Sequence, residues 1–331
     1  VIVDLPNTTT SKITKRIVKM REQGGVVTLG RVLTLVVITQ NGQEEEAIAA
    51  ANLASREHPC RIIVLAAGSP EEPTRLDGEI RVGGDAGASE VIVLRGFGEL
   101  AAESESVVSA LLLPDAPIVA WWPNNAPDSA SKSPVGRIAH RRITDSASQA
   151  EPRAALEHIG ATYAAGDTDL AWTRLTNWRI QLAAVLDQLD STGPITGLQV
   201  EGASDSPSTL LLAAWLHRAL QVPITVTEDP RGTGIRRVVL ERAGGNVELH
   251  RPGSIDAVLT QPGQPDQQLS LPRRTLQDCL AEELRRLDPD EVFGETVRGL
   301  CTFEEHQKGH VTVARGVEPR RDWDNLALIA V

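Results

Sequence analysis

One order of elements occurs twice along the chain, and it limits the fold more than any single motif. Residues 10–24 read as a helix, 32–39 as a β-branched buried strand and 44–57 as an alanine-rich helix. Strands follow at 61–66, 79–82 and 90–94. The second half repeats helix, strand, helix and three strands at 169–189, 195–200, 207–220, 224–227, 236–241 and 246–250, roughly 155 to 165 positions later. Further strands are expected at 257–260 and 267–271, and a helix at 276–287. The expected class is α/β: two similarly built α/β domains with mixed sheets flanked by helices, from a possible duplication. The boundaries are 1–150, a connector over 151–166, a second domain over 167–303 and a tail over 304–331.

At 331 residues the chain is too long for one ordinary core. Its 41% hydrophobic and 23% charged content is that of a soluble globular protein, and no apolar run approaches a bilayer-spanning length. The opening VIVDLPNTTT has neither a charged n-region nor an apolar h-region, so a cytoplasmic location and no membrane partner are expected. A net charge of -11 disfavours nucleic acid. Cys60, Cys279 and Cys301 carry no C-x-x-C spacing and read as reduced, mostly buried thiols; Cys279 and Cys301 could pair if the C-terminal helices meet.

The helix over 169–189 carries the most side-chain information. Ala171, Leu175, Trp178, Leu182, Val185 and Leu189 form one apolar stripe, and Trp172 and Arg179 share a face beside it. A ring beside a guanidinium can anchor a protein partner; alternatively Trp172 closes the core with Arg179 lying over it. Trp121 and Trp122 end a buried strand, where α/β proteins place ligands. Alternation sends one ring to the core and the other elsewhere, either to a partner or beneath a helix on the opposite face.

Arg137, His140, Arg141 and Arg142 form the densest basic cluster, suited to an anion or a docking partner, with surface ion pairs as the alternative. Lys12, Lys15, Arg16 and Lys19 line the outer face of the first helix. GFGELA over 96–101 has the glycine spacing of a dinucleotide turn, but the next strand ends in Trp121-Trp122-Pro123 without the required carboxylate. His306 and His310 lack the zincin order, so no metal and no cofactor are expected. The apolar end of RRDWDNLALIAV reads as a strand docking on the chain's own sheet.

Five phrases occur together and in order: DLPNTTTSKI, GRVLTLVV, PIVAWWP, RRITDS and DTDLAWTRLTNWR. As a set they resemble the bacterial glucose-6-phosphate dehydrogenase assembly protein (OpcA) family, over about residues 4 to 303. The resemblance implies a non-catalytic protein that associates with glucose-6-phosphate dehydrogenase, promotes its active oligomer and so supports the oxidative pentose phosphate pathway and NADPH supply. It implies no catalytic residues. Some relatives are thought to respond to thiol redox state.

The sequence therefore yields an expected partner, glucose-6-phosphate dehydrogenase, with self-association as a further possibility. The partner-binding candidates are Trp122, Arg141, Arg142, Trp172 and Arg179, and the anion-binding candidates are Arg137, Arg141 and Arg142. The rival reading is an enzyme, or former enzyme, gripping sugar phosphates with an arginine clamp. A nucleotide-binding regulator resting on GFGELA is a third.

Overall fold

The computed structural model describes residues 1–24, 32–83, 90–189, 193–203, 205–229 and 232–300. In chain order the elements are β1 (Ile2–Leu5), α1 (Thr10–Gly24), β2 (Leu33–Gln40), α2 (Glu44–Ala54), β3 (Cys60–Ala67), β4 (Arg75–Val82), β5 (Glu90–Phe97), α3 (Glu105–Ser109), β6 (Ile118–Trp122), β7 (Arg141–Thr144), α4 (Pro152–Thr162), β8 (Asp167–Asp169), α5 (Leu170–Thr173) and α6 (Thr176–Gln188). Then come β9 (Ile195–Gly202), α7 (Pro207–Leu220), β10 (Ile224–Glu228), β11 (Ile235–Arg242), β12 (Val247–His250), β13 (Asp256–Thr260), β14 (Gln267–Ser270), α8 (Leu276–Arg285) and α9 (Glu291–Arg298). No helix among the described residues is long and apolar enough to cross a membrane. The chain divides into two compact units. Among the described residues the first comprises 1–148, 164–170 and 275–290, and the second 149–163, 171–274 and 291–300.

The first unit is built on an eight-stranded sheet in the order β1-β4-β5-β3-β2-β6-β7-β8. The six strands from β5 to β8 all run parallel, while β4 and β1 add an antiparallel edge. By chain order those six read 3-2-1-4-5-6, the arrangement of doubly wound dinucleotide-binding sheets. Alternation along continuous apolar runs explains the layers. Leu35, Val37, Ile62, Val64, Val93 and Trp121 meet α2 and α8 on one face. Val36, Ile63, Ile92, Ala120 and Trp122 meet Ile13 and Ile17 of α1, with Val108 and Leu111, on the other. Each such buried aliphatic side chain contributes about 1.5–3 kcal/mol. The two tryptophans therefore face opposite layers and both are buried, which is the second of the two alternatives and corrects Trp122 as a partner contact.

The second unit has a six-stranded sheet in the order β10-β9-β11-β12-β13-β14, antiparallel except for the β9–β10 pair. Leu198, Val200, Val238, Leu240, Leu249 and Leu259 form one core with Trp172, Trp178, Leu182, Leu211, Trp215 and Phe293. The α/β class and the two mixed sheets agree with the sequence reading. The topologies do not repeat: one sheet is mainly parallel and the other mainly antiparallel, so the shared element order does not carry a duplicated fold.

Four segments differ from the sequence expectation. The strand β7 lies where charge density suggested a basic patch, and α4 lies where a connector over 151–166 was expected. The helix α8 belongs to the first unit because Cys279, Leu280 and Leu284 pack beside Ala47, Ile48 and Ala51 of α2. The helix expected over 169–189 is broken into α5 and α6. At the break, the Thr173 carbonyl accepts from Thr176 Oγ1 at 3.0 Å and from Arg274 Nη1 at 2.9 Å. Side-chain donors thus compete for a carbonyl that a continuous helix would use internally. The expected C-terminal strand, His306, His310 and Cys301 lie outside the described residues.

Candidate functional site

The Trp172–Arg179 pair survives the break between α5 and α6. The Arg179 guanidinium lies 4.0 Å from the Trp172 ring centroid, and Trp172 also meets the Phe293 ring at 5.8 Å. Both are buried, with Trp172 1% and Arg179 6% exposed. The pairing inferred from helical spacing is present, but it faces inward; as displayed docking residues these two are corrected by their burial. The stack joins α5, α6 and α9 within the second unit's core.

The basic cluster is likewise internal. Arg141 is 3% exposed and directs Nε and Nη2 to Glu283 Oε2 at 3.0 and 2.5 Å, while Nη1 reaches the Asp288 carbonyl at 2.7 Å. Arg142 pairs with Asp167 and donates to the Ala139 and Ala165 carbonyls. Alongside, Asp169 is fully buried and accepts from Thr144 Oγ1, the Ser146 amide and Ser146 Oγ at 2.7 to 2.8 Å. RRITDS and DTD thus meet as neighbouring strands β7 and β8, where Asp167 balances Arg142, while Arg141 takes its counter-charge from Glu283 of α8. Guanidinia held in this way are occupied, so Arg141 and Arg142 do not form the expected anion clamp or docking patch.

Doubly wound sheets bind ligands outside the carboxyl ends of their strands, where the strand order reverses. Here that point lies between β2 and β6. The turn after β2 is Asn41-Gly42-Gln43, with Gly42 at φ +88°. Thr39 Oγ1 donates to Asn124 Oδ1 at 3.2 Å, and Asn124 Nδ2 donates to Gln43 Oε1 at 2.9 Å, linking the turn after β2 to the loop after β6. Beyond it, α2 opens with Glu44, Glu45 and Glu46. A helix N-terminus attracts anions through its dipole and bare amides, but three carboxylates there reverse the sign. Glu44 Oε2 accepts from the Gly42 amide at 2.5 Å, occupying the donor that a phosphate would need.

Two of these carboxylates, Glu44 and Glu45, are tied into an arginine ladder. Glu44 pairs with Arg95, Glu79 with both Arg81 and Arg95, and Glu45 with Arg81. The hydrogen bond from Arg81 holds Glu45 below the usual carboxylate range. For Glu79, burial pushes the carboxyl up, but hydrogen bonds and charge from Arg81 and Arg95 outweigh it and hold the group low. GFGELA lies elsewhere, at the end of β5. Its Gly96 abuts the Leu100 carbonyl and Gly98 takes φ +61°, so backbone geometry accounts for both glycines. Sequence reasoning passed over TQNGQEEE; the signal was a β-branched run followed by a turn and an acidic helix start.

Arg137 is the one exposed residue among the partner- and anion-binding candidates, its side chain 58% exposed and 3.9 Å from Glu105. It sits on a loop fastened from within. Trp122 Nε1 donates to Glu103 Oε2 at 3.3 Å, and Glu103 Oε1 accepts from the Val135 amide at 2.7 Å. The Gly136 amide donates to Ser133 Oγ at 3.0 Å. Trp122, expected as a contact, is instead an internal support, 1% exposed. Lys12, Lys15 and Lys19 stand exposed along α1, while Arg16 is half-buried.

Comparison with known proteins adds two family matches. Residues 51–161 match the glucose-6-phosphate dehydrogenase subunit N-terminal domain and residues 165–297 the C-terminal domain of the same OpcA family. No curated protein matches the chain. Among solved structures, KijD10, a 3-ketoreductase from Actinomadura kijaniata in complex with TDP-benzene and NADP, is 10% identical with a TM-score of 0.46, over 83% of this chain and 97% of that one. An oxidoreductase from Sinorhizobium meliloti is 9% identical with a TM-score of 0.47, over 83% and 96%. An inositol dehydrogenase homolog from Azotobacter vinelandii, complexed with NADH and myo-inositol, is 9% identical with a TM-score of 0.43, over 86% and 90%. Likeness of this degree says nothing of activity. The two family domains follow each other in order over most of the described chain, and the chain belongs to the glucose-6-phosphate dehydrogenase assembly protein family.

Proposed function

We propose that this chain is a non-catalytic partner that binds glucose-6-phosphate dehydrogenase and favours its active oligomer, supporting the oxidative pentose phosphate pathway and NADPH supply in the cytoplasm. The observation that carries the reading is the pair of family domains. The acidic start of α2 supports it, because Glu44, Glu45 and Glu46 stand where a nucleotide phosphate would otherwise be held. The action is linkage: a protein that grips the competent state of the enzyme more tightly shifts the population toward it. A tenfold shift requires about 1.4 kcal/mol of differential binding.

Within this reading Arg137 is the outward contact, and Trp122 positions its loop through Glu103 and Val135. Trp172 and Arg179 stiffen the second unit, while Arg141 and Arg142 lock β7 into the first. The sugar-phosphate clamp at Arg141 and Arg142 is set aside because Glu283 and Asp167 already hold those groups.

The test is to titrate this protein into its cognate dehydrogenase at low substrate. Activity should rise and saturate near one-to-one, with co-elution on a sizing column. Arg137→Glu should weaken the half-saturation point several-fold while leaving the thermal midpoint in place. An unchanged rate together with separate elution would remove the partner reading; an unchanged titration with the variant would remove Arg137 from the contact.

A further inference from the structure

Arg251 follows β12 and is 6% exposed. Its Nη2 donates to the Ile235 carbonyl at 3.0 Å and its Nη1 to the Leu271 carbonyl at 3.2 Å. The guanidinium lies 5.1 Å from the Trp178 ring centroid. A guanidinium carries five N–H donors in a fixed fork. Backbone carbonyls occupy two directions, and Nε meets no acceptor among the described residues. No carboxylate pairs with Arg251 among them either.

A second arginine borders the same place. Arg273 lies two residues beyond Leu271, and its Nη1 is 3.3 Å from the point where a Cβ on Gly234 would stand. Gly234, at φ +87°, immediately precedes Ile235, whose carbonyl holds Arg251. Both guanidinia thus flank the Gly234–Ile235 step, and a side chain at position 234 would crowd the Arg273 end of it. Arg273 is exposed and forms no ion pair among the described residues. Burial, and after it the charge of Arg273, pushes the Arg251 guanidinium down to about 10.

Three other buried arginines of this protein have counter-charges. Arg61 meets Glu90, Arg141 meets Glu283 and Arg142 meets Asp167. A buried cation beside a second cation is costly unless an anion joins them. We propose that Arg251 and Arg273 form a binding site for a small oxyanion, with a phosphate or carboxylate group as the recognised chemistry. Arg251 is the fixed inner cation, set by two carbonyls and the Trp178 ring. Arg273 is the outer arm, which closes over the bound group. The assignment stands apart from the dehydrogenase reading and does not depend on it.

The experiment uses the full chain and inorganic phosphate, with acetate as the planar carboxylate, against sodium chloride at matched ionic strength. Thermal midpoints are followed over a titration, because a ligand bound by the folded state raises them in a saturable way. Wild-type protein should show saturation with phosphate or acetate. Arg273→Gln should weaken the apparent affinity at least tenfold, and Arg273→Lys should retain part of it. In chloride alone, Arg273→Gln should melt above wild type, since a like charge has been removed from Arg251. Three results would each overturn the site: a response to both anions no greater than to chloride, equal saturation in wild type and Arg273→Gln, or a lower melting point for Arg273→Gln in chloride.

Discussion

Arg141 in the first unit and Arg251 in the second are both buried arginines reaching backbone carbonyls, and they differ in charge balance. Arg141 places two nitrogens on Glu283 and a third on the Asp288 carbonyl. Arg251 reaches the Leu271 and Ile235 carbonyls alone and lies near another cation. Charge density in the sequence pointed to the wrong member of this pair. HRRITDS looks like an anion clamp but is internally neutralised, whereas ELHRPGS looks unremarkable and holds the uncompensated charge. A basic cluster signals a ligand only when its acids are elsewhere, and sequence distance does not reveal that: Glu283 is 142 positions from Arg141.

The largest effect should come from breaking the balanced pair. Glu283→Ala leaves Arg141 buried without its carboxylate and also removes the acceptor of Thr168 Oγ1. Urea denaturation should show a loss of about 3–5 kcal/mol. A smaller loss should follow Arg251→Met, about 1–3 kcal/mol, because two carbonyls lose donors while an uncompensated charge is removed. If Arg251→Met costs as much as Glu283→Ala, Arg251 has a counter-charge and the contrast between the two sites fails.

The smallest effect concerns the more exposed ladder of Arg81, Arg95, Glu45 and Glu79. Glu45 and Glu79 titrate in the fold below their ordinary value of 4.5. Their contribution is therefore present above that value and is lost as pH falls through the lower folded value. Urea midpoints measured from pH 6 down to about pH 3 should decline in this window. Arg81→Met should flatten part of that decline; an identical slope in the variant would show that the ladder contributes nothing to acid sensitivity.

Much of the fold was legible because its signals are local. The β-branched run of β2, the alanine-rich α2 and the proline-led α7 were found with boundaries within a few residues. The heptad relation of Trp172 and Arg179 persisted as a 4.0 Å stack despite the intervening break. The break itself was hidden, since one of the two donors to the Thr173 carbonyl comes from Arg274, 101 positions later. The strand β7 was hidden as well, because two consecutive arginines read as surface until Glu283 and Asp167 are seen beside them.

The candidate site was less legible than the fold. Of the candidate residues, Arg137 alone stands well exposed; Trp122, Arg141, Arg142, Trp172 and Arg179 are inside. Aromatic rings and guanidinia serve cores as readily as interfaces, and exposure depends on layers contributed by distant segments.

By itself, the order of short apolar runs and amphipathic helices determined an α/β protein with two sheets, and the five ordered phrases determined its family. Local patterning suffices for this because helix and strand periods are properties of neighbouring residues. Only the tertiary structure decided that the first sheet is doubly wound, that Glu283 and Asp167 neutralise Arg141 and Arg142, and that Arg251 does not share in that neutrality. Those outcomes depend on which charges and rings the folded chain brings within a few ångströms, and sequence separation carries almost no information about that distance.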